Sequence, residues 1–514
     1  MVNNVVIVGG GTAGWMSATY LKAAFGDRLD VTLVESSRIP TIGVGEATFS
    51  TIRHFFGYLG LAESEWMPRC NASYKLAIRF ENWRRPGHHF YHPFERLQRA
   101  GGFSLADWWL QLGGAQRFDE ECFVTTALCE AQRSPRYLDG TLYDLDDSGE
   151  SAAGTTLTEQ VTQFPYAYHF DAALLARYLT EVGVGQGVRH VLDDVVGVNR
   201  DDRGWITDVT TREHGPVTGD LFIDCSGFRA LLINQTLGET FESWSDVLPN
   251  DRAVALRVPT DVDEVGIRPY TTATAMDAGW IWRIPLYGRD GMGYVYAEEF
   301  CTPEQAERTL RAFIGPAAAE TEANHLRIRV GRNRNSWVNN CVAIGLSSGF
   351  VEPLESTGIF FIQNGIEQLV KHFPRFGSAD CDDRLRIAYN RQVGRCMDGV
   401  REFLTLHYRG ASRDDTPYWK AARQRGDAAL IERMDVWERM LPSWENIWPH
   451  YHGFEPYSWI AMLLGLGRVR TPPRPALALL DATEARQKLA ALQSRAKRLV
   501  AELPSHREYL ARLH

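Results

Sequence analysis

The chain opens with a short apolar run, Val5 to Val8 (VVIV), and breaks at once into GGGTAG, Gly9 to Gly14. From Trp15 the apolar positions recur every three or four residues as far as Gly26, and a second apolar run, VTLVES, ends near Glu35. This change of period predicts strand, helix, strand, with Gly26 closing the helix. Between about 185 and 230 the runs are again strand-like: VRHVLDDVVGVNRD, GWITDVTT and DLFIDCSGF. The last closes on Asp224-Cys225-Ser226-Gly227 and reads as a strand returning to the first sheet. CVAIGLSSGF, Cys341 to Phe350, repeats that design. Beyond Gly358 the pattern turns helical, through IFFIQNGIEQLVKHF and RLRIAYNRQVGRCMDGVREFLTLHY. TPPRP, Thr471 to Pro475, then breaks the chain before a last amphipathic helix, where Asp481 and Glu484 have the spacing of a capping box.

These segments predict an α/β protein with a doubly wound, Rossmann-like sheet and an added, largely helical C-terminal region. The sheet-forming stretches, about 1–48, 185–230 and 341–360, alternate with about 71–170 and 361–514, so the 514 residues read as a single fused unit. The chain is 44% hydrophobic and 23% charged, ordinary for a soluble protein. A net charge of -9 without any Lys/Arg run excludes a general nucleic-acid binder. No apolar run reaches 18 residues and no signal-peptide pattern precedes the first strand, so a cytoplasmic protein without membrane contact is expected. The eight cysteines are scattered without a CxxC pair and read as buried free thiols.

Gly9-x-Gly11-x-x-Gly14 lies between a strand and a helix, with Glu35 at the end of the next strand. That context predicts a dinucleotide site: Gly9, Gly10, Gly11, Thr12, Ala13 and Gly14 admit a pyrophosphate to the helix N-terminus, and Glu35 holds a ribose hydroxyl. IGVGEAT, Ile42 to Thr48, is a second glycine-rich loop suited to a flat ring. GFVEPLESTGIFFI, Gly349 to Ile362, sets Glu352 and Glu355 beside Thr357-Gly358, a turn whose backbone N–H groups suit an anion. Read by pattern, Lys75 alternates with Leu76, Ile78 and Phe80 and belongs on a solvent face, and Glu355 is a helix-start acid. His88, His89 and His92 have no Cys or Asp at ligand spacing, so no metal site is expected.

The chain resembles the flavin-dependent tryptophan halogenases from GGGTAGW at its start to YLARLH at its end. Three segments carry the resemblance: Gly9 to Trp15; the GWxWxIP signature, Gly279 to Pro285; and the FxxPxxSxG signature, Phe350 to Gly358. NASYKLAIRF (Asn71 to Phe80) and YHPFERL (Tyr91 to Leu97) are similar to the tryptophan-specific branch, and Arg283 stands where relatives often carry threonine. The resemblance implies a flavoprotein monooxygenase-like fold holding FAD, supplied as FADH2 by a separate NAD(P)H-dependent flavin reductase. FAD contacts then extend to Ser36, Ile39, Ile42, Val44, Ala47, Val195, Leu346 and Ile359. It also implies O2 and chloride or bromide as co-substrates, with chloride on Thr357 and Gly358. Halide attack on a flavin C4a-hydroperoxide gives HOCl, which travels to Lys75, while Glu355 assists attack by the indole. Phe49, Ser50, His92, Phe94, Gln160, Gln163, Phe454, Tyr457 and Trp459 match substrate-side positions. The expected enzyme is a homodimer of antibiotic or other secondary metabolism acting on free L-tryptophan.

Two other readings stand beside this one: a monooxygenase that hydroxylates an aromatic substrate, and a non-catalytic flavin-binding scaffold. The first needs its own NAD(P)H site, and no second GxGxxG loop is present. The second leaves Lys75, Glu355 and both signature tryptophans without a purpose. For the position of chlorine, QVTQFPYAYHF, HHFYHPFERL, FEPYSW, RFDEECFV and GLSSGFVEP are more similar to relatives acting at C6, then C5, than to the C7 group.

Overall fold

The computed structural model describes residues 2–39, 45–143, 166–374, 383–447, 453–469 and 474–514. The chain divides into two compact units, each assembled from three separate stretches: Met1–Cys70, Phe170–Ser245 and Arg329–Asp398; and Asn71–His169, Asp246–Ile328 and Gly399–His514.

The first unit is built on a six-stranded sheet. Its order is Arg189–Leu192, Asp30–Glu35, Asn4–Val8, Leu221–Asp224, Cys341–Ala343, Trp337–Val338. All neighbours run parallel except the last pair. Both faces are covered, which is why Val5, Val6 and Ile7 form an unbroken apolar run with no exposed surface. The helix Thr12–Phe25 packs between Ala172–Gly185 and Gly358–Lys371. Gly183 makes the first contact possible, since a Cβ there would stand 3.0 Å from the Trp15 ring. An antiparallel sheet, Val195–Arg200, Ile206–Thr211 and Gly215–Thr218, closes a core that includes Val34, Val191, Val209 and Phe222.

The second unit is built on a seven-stranded mixed sheet. Its order is Asn324–Arg327, Arg252–Pro259, Arg289–Tyr296, Gly279–Leu286, Tyr270–Met276, Ala77–Glu81, His89–Pro93. Only Tyr270–Met276 and Ala77–Glu81 run parallel. The strands Tyr270–Met276 and Arg289–Tyr296 escape a reading by hydrophobic period because many of their buried positions are small or polar, as in YTTATAM and RDGMGYVY. Helices follow to the end of the chain, among them Pro456–Gly465, Thr483–Glu502 and His506–Leu513.

The expected capping box before the Thr483–Glu502 helix is not formed. Ala482 is the N-cap, Asp481 folds back on the Thr483 N–H and hydroxyl, and Glu484 accepts from the Gly101 N–H. A closing loop partner has taken the glutamate that the spacing assigned to the cap. Among the described residues, no helix is long and apolar enough to cross a membrane, and seven cysteines are buried and free.

Candidate functional site

The glycines of the first loop are there because nothing larger fits. Gly9 has φ +117°, and a Cβ on it would stand 2.2 Å from the Cys225 carbonyl oxygen. On Gly14 it would meet the Gly9 carbonyl oxygen at 1.9 Å, and on Gly10 the Glu35 carboxyl at 2.1 Å. The helix then starts at Thr12 behind Gly11, with no side chain capping it, so its first N–H groups remain for a phosphate. Glu35 accepts from Trp15 Nε1 (3.3 Å) and His190 Nε2 (3.0 Å), both on Oε2. Neither bond uses Oε1, the oxygen left for a ribose hydroxyl. The turn Gly345–Ser347, which carries Leu346, packs on this loop, because a Cβ on Gly345 would stand 2.9 Å from that of Ala13. A crowded glycine turn, an uncapped helix start and a held carboxylate fit a flavin dinucleotide.

The other flavin-side residues are less uniform. Ala47 and Ile359 are buried, and Val195 packs against the core. Ser36 donates to Asp194 Oδ1 at 2.5 Å, and Ile39 is exposed. Ile42 and Val44 lie outside the described residues, as do Gln160 and Gln163. His190, which holds Glu35, carries no local signal in the sequence; only the strand pairing Leu33↔His190 brings it there.

Along GFVEPLESTGIFFI the chain runs from the short strand Gly349–Phe350 into the helix Gly358–Lys371. Glu355 is buried, but it is not the helix-start acid that its position suggested: Thr357 is the N-cap and the first turn holds no acid. Ser356 adopts φ +60°, a left-handed conformation that costs a non-glycine residue about 1–3 kcal/mol. Thr357 follows in the right-handed region, and this alternation turns successive N–H groups toward one side, forming an anion nest. The Ser356 N–H is taken by the Pro353 carbonyl; those of Thr357 and Gly358 have no backbone acceptor among the described residues. The Thr357 hydroxyl is also buried without a partner among them, and a Cβ on Gly358 would meet nothing within 4 Å. Three donors beside open space, at a helix N-terminus, suit a small anion. Phe49 packs on this helix, its ring 5.4 Å from that of Phe360, and the Ser50 carbonyl accepts from Arg53 N–H.

In the second unit, Lys75 ends the strand Ser73–Lys75 and is fully buried. This corrects the solvent-face reading. The strand stops at Lys75 and another starts at Ala77, so the apparent alternation spans a break, and Lys75, Leu76, Ala77 and Ile78 are all buried. Lys75 Nζ stands 5.2 Å from the centre of the Phe94 ring, within cation–π range. The Phe94 carbonyl accepts from the Tyr457 hydroxyl at 3.3 Å. His92 extends the wall, its ring 6.3 Å from those of Phe454 and Tyr457 and 5.9 Å from Phe403. Phe403 stacks on Phe454 at 3.9 Å and meets Trp459 at 4.9 Å. Trp459 is fully buried, and its Nε1 donates to the Phe454 carbonyl. Phe403, missed in the sequence, is the hub of this wall; it sits inside a long amphipathic helix and looks there like any core residue.

The GWxWxIP tryptophans lie on the central strand Gly279–Leu286 of this unit's sheet. Trp280 donates to the Tyr408 hydroxyl at 3.0 Å, which also accepts from Asn250, and Asn250 accepts from the Tyr418 hydroxyl. Trp282 lies over Gly293, where a Cβ would fall 2.1 Å from its ring. Both indoles are thus locked in place. His89 Nε2 lies beside Glu130 Oε1 and Arg117 Nη1, donating to the first or accepting from the second, instead of meeting His88 and His92, and no group of three metal-ligating side chains occurs among the described residues.

The chain matches the tryptophan halogenase family over residues 4–482. It is 60% identical over 514 residues to tryptophan 6-halogenase SttH of Streptomyces toxytricini, covering 99% of this chain and 98% of the relative. It is also 60% identical to 7-chloro-L-tryptophan 6-halogenase KtzR of Kutzneria sp. (strain 744), with 99% of each covered. Among solved structures, Tar14, a tryptophan C-6 flavin-dependent halogenase (chlorinase) from taromycin biosynthesis, superposes with a TM-score of 0.95 at 58% identity, over 99% of both chains. The fold and site define a flavoprotein of the α/β, Rossmann-like type. The chain belongs to the tryptophan halogenase family and is a flavin-dependent enzyme that uses halide and O2.

Proposed function

We propose that this protein chlorinates the benzene ring of free L-tryptophan at C6, with bromide as an alternative halide. The buried Lys75 ammonium beside an aromatic wall carries the reading. A lysine is almost never fully buried unless its charge is held by partners, because desolvating it costs several kcal/mol, so Lys75 stands here as a held group inside the wall and not as a solvated surface charge. Bound reduced flavin supplies, with O2, the oxidising power that brings halide to the hypohalous level. The residues supply the rest. The N–H groups of Thr357 and Gly358, with the Thr357 hydroxyl, hold chloride. Lys75 holds hypochlorous acid by hydrogen bonding as the ammonium, or, after losing a proton, its amine takes chlorine from hypochlorous acid to give a chloramine and water. His92, Phe94, Phe454 and Tyr457 present flat faces to an indole, with Phe49, Ser50, Gln160, Gln163 and Trp459 completing the substrate side. Glu355 stabilises the cationic ring formed on chlorination and takes its proton. SttH and Tar14 are named for C6 of tryptophan, which supports that position. KtzR is named for 7-chloro-L-tryptophan, so equimolar competition between tryptophan and its 7-chloro derivative decides the preferred substrate.

The reaction with tryptophan, chloride, FAD, NADH and an unrelated flavin reductase tests the reading. A product in which chlorine replaces hydrogen supports it; an added oxygen replaces it with hydroxylation, and no product from tryptophan removes tryptophan as the substrate. NADH or NADPH alone is expected to leave bound FAD oxidised over many minutes, since the chain has one dinucleotide fingerprint and acts with a separate reductase. Anaerobic loss of the oxidised-flavin absorbance checks this, and rapid bleaching overturns it. We propose a cytoplasmic homodimer, and light scattering checks the dimer.

A further inference from the structure

The strand that carries Lys75 is three residues long and, among the described residues, pairs with one neighbour, Ser73↔His169 through Lys75↔Ala167. So short a strand has few ladder bonds to set the position of its last side chain. What it has instead is a set of buried side-chain bonds with fixed polarity. The Ser73 hydroxyl stands 2.6 Å from the Pro285 carbonyl oxygen, which can only accept, so the serine proton is committed there. Ser73 Oγ is also 3.2 Å from His169 Nδ1, which must then be the protonated nitrogen. His169 Nε2, left as acceptor, takes the Thr271 hydroxyl at 2.9 Å. The chain therefore runs in one direction, Thr271 to His169 to Ser73 to Pro285, the last residue of the GWxWxIP signature.

A second histidine holds the next residue. The Tyr74 N–H donates to His506 Nε2 at 3.1 Å, where a neighbouring strand would offer a carbonyl, and His506 Nδ1 donates to the Ile267 carbonyl at 3.0 Å. Ser73, His169 and His506 have no exposed surface. Burial keeps both imidazoles neutral: His506 is pushed down to about 4, and His169 well below its ordinary value by burial and then by the positive charge of Lys75. Backbone bonds from Leu76 to Pro269 and from Tyr287 to Asn71 fix the flanks. Ser73 and Lys75, two apart on a strand, share a face, so the polar chain and the ammonium lie on the same side.

We propose that Thr271, His169 and Ser73, anchored on Pro285 and backed by His506, are positioning residues that set where the Lys75 ammonium stands. This gives the proline end of the signature a task in halogen delivery, separate from the two tryptophans. It rests on the assignment of halogen transfer to Lys75.

Thr271→Val tests it, because valine keeps the shape and removes only the hydroxyl that orients His169. Chlorotryptophan formed, relative to hypochlorous acid escaping to monochlorodimedone, is expected to fall at least about tenfold, within what a misplacement of about 1 Å costs. The melting temperature and FADH2 consumption should stay near wild type, and Thr271→Ser should restore the ratio. ¹⁵N NMR of histidine-labelled protein, with His169 assigned from His169→Gln, should show a neutral ring protonated on Nδ1. A wild-type ratio in Thr271→Val, or a ring protonated on Nε2, overturns the inference. Lys75→Met separates it from the reading beneath it. If that variant chlorinates normally, the Lys75 assignment fails; if it is inactive while Thr271→Val is normal, only the positioning role fails.

Discussion

Lys75→Met is expected to lower tryptophan chlorination by at least about 10³-fold while chloride is still oxidised at the wild-type rate. Methionine is unbranched like lysine, one heavy atom shorter and nearly equal in volume, so the change removes the ammonium while leaving most of the buried space filled. The flavin loop and the Thr357–Gly358 nest belong to the other compact unit and keep their structure. On the proposed assignment, what is lost is the group that holds oxidised halogen, which lies 5.2 Å from the Phe94 ring centre. Hypochlorous acid then leaves for solvent, and any residual product should carry oxidation on the pyrrole carbons C2 and C3, the most reactive positions of indole. Product analysis by mass spectrometry, with monochlorodimedone as trap, reads both effects. Benzene-ring chlorination at the wild-type rate would remove Lys75 from the mechanism.

Glu355→Gln is expected to lower turnover by about 10²-fold, the order lost when a general base or charge stabiliser is removed. The amide matches the carboxylate in shape, but it neither accepts the ring proton nor offsets the positive charge of the chlorinated ring. With chloride assigned, as proposed, to the backbone groups of Thr357 and Gly358 and to the Thr357 hydroxyl, the chloride concentration giving half-maximal rate should not change. Steady-state rates against chloride and tryptophan check this. Loss of flavin binding in the variant would make Glu355 a structural residue of the 349–362 segment.

Local constraint made the first part of the fold legible. Gly9, Gly10 and Gly14 are required by contacts within one turn, and the strand and helix beside them have single, clear periods, so that element could be read residue by residue. The same holds for the strands Leu221–Asp224 and Cys341–Ala343, buried on both faces. The seven-stranded sheet was not legible, because pairings such as Tyr270↔Ala77 and Arg252↔Arg327 join distant residues and strands such as YTTATAM and RDGMGYVY use alanine, glycine and threonine at covered positions. Lys75 shows why pattern misleads at a functional site: a two-residue alternation was counted across a break between two strands. Burial of an ammonium contradicts the local rule, and such contradictions gather where function demands them. Ser73, His169, Phe403 and His506 look ordinary in sequence; their significance arises from partners up to 432 positions away.

The position of chlorine on the product tests the central claim most directly. Two-dimensional NMR of the product from tryptophan, chloride, FAD and a flavin reductase should show 6-chlorotryptophan as the main species, with the C5 and C7 protons retained. 7-Chlorotryptophan as the main product, or a hydroxylated ring, would contradict the account.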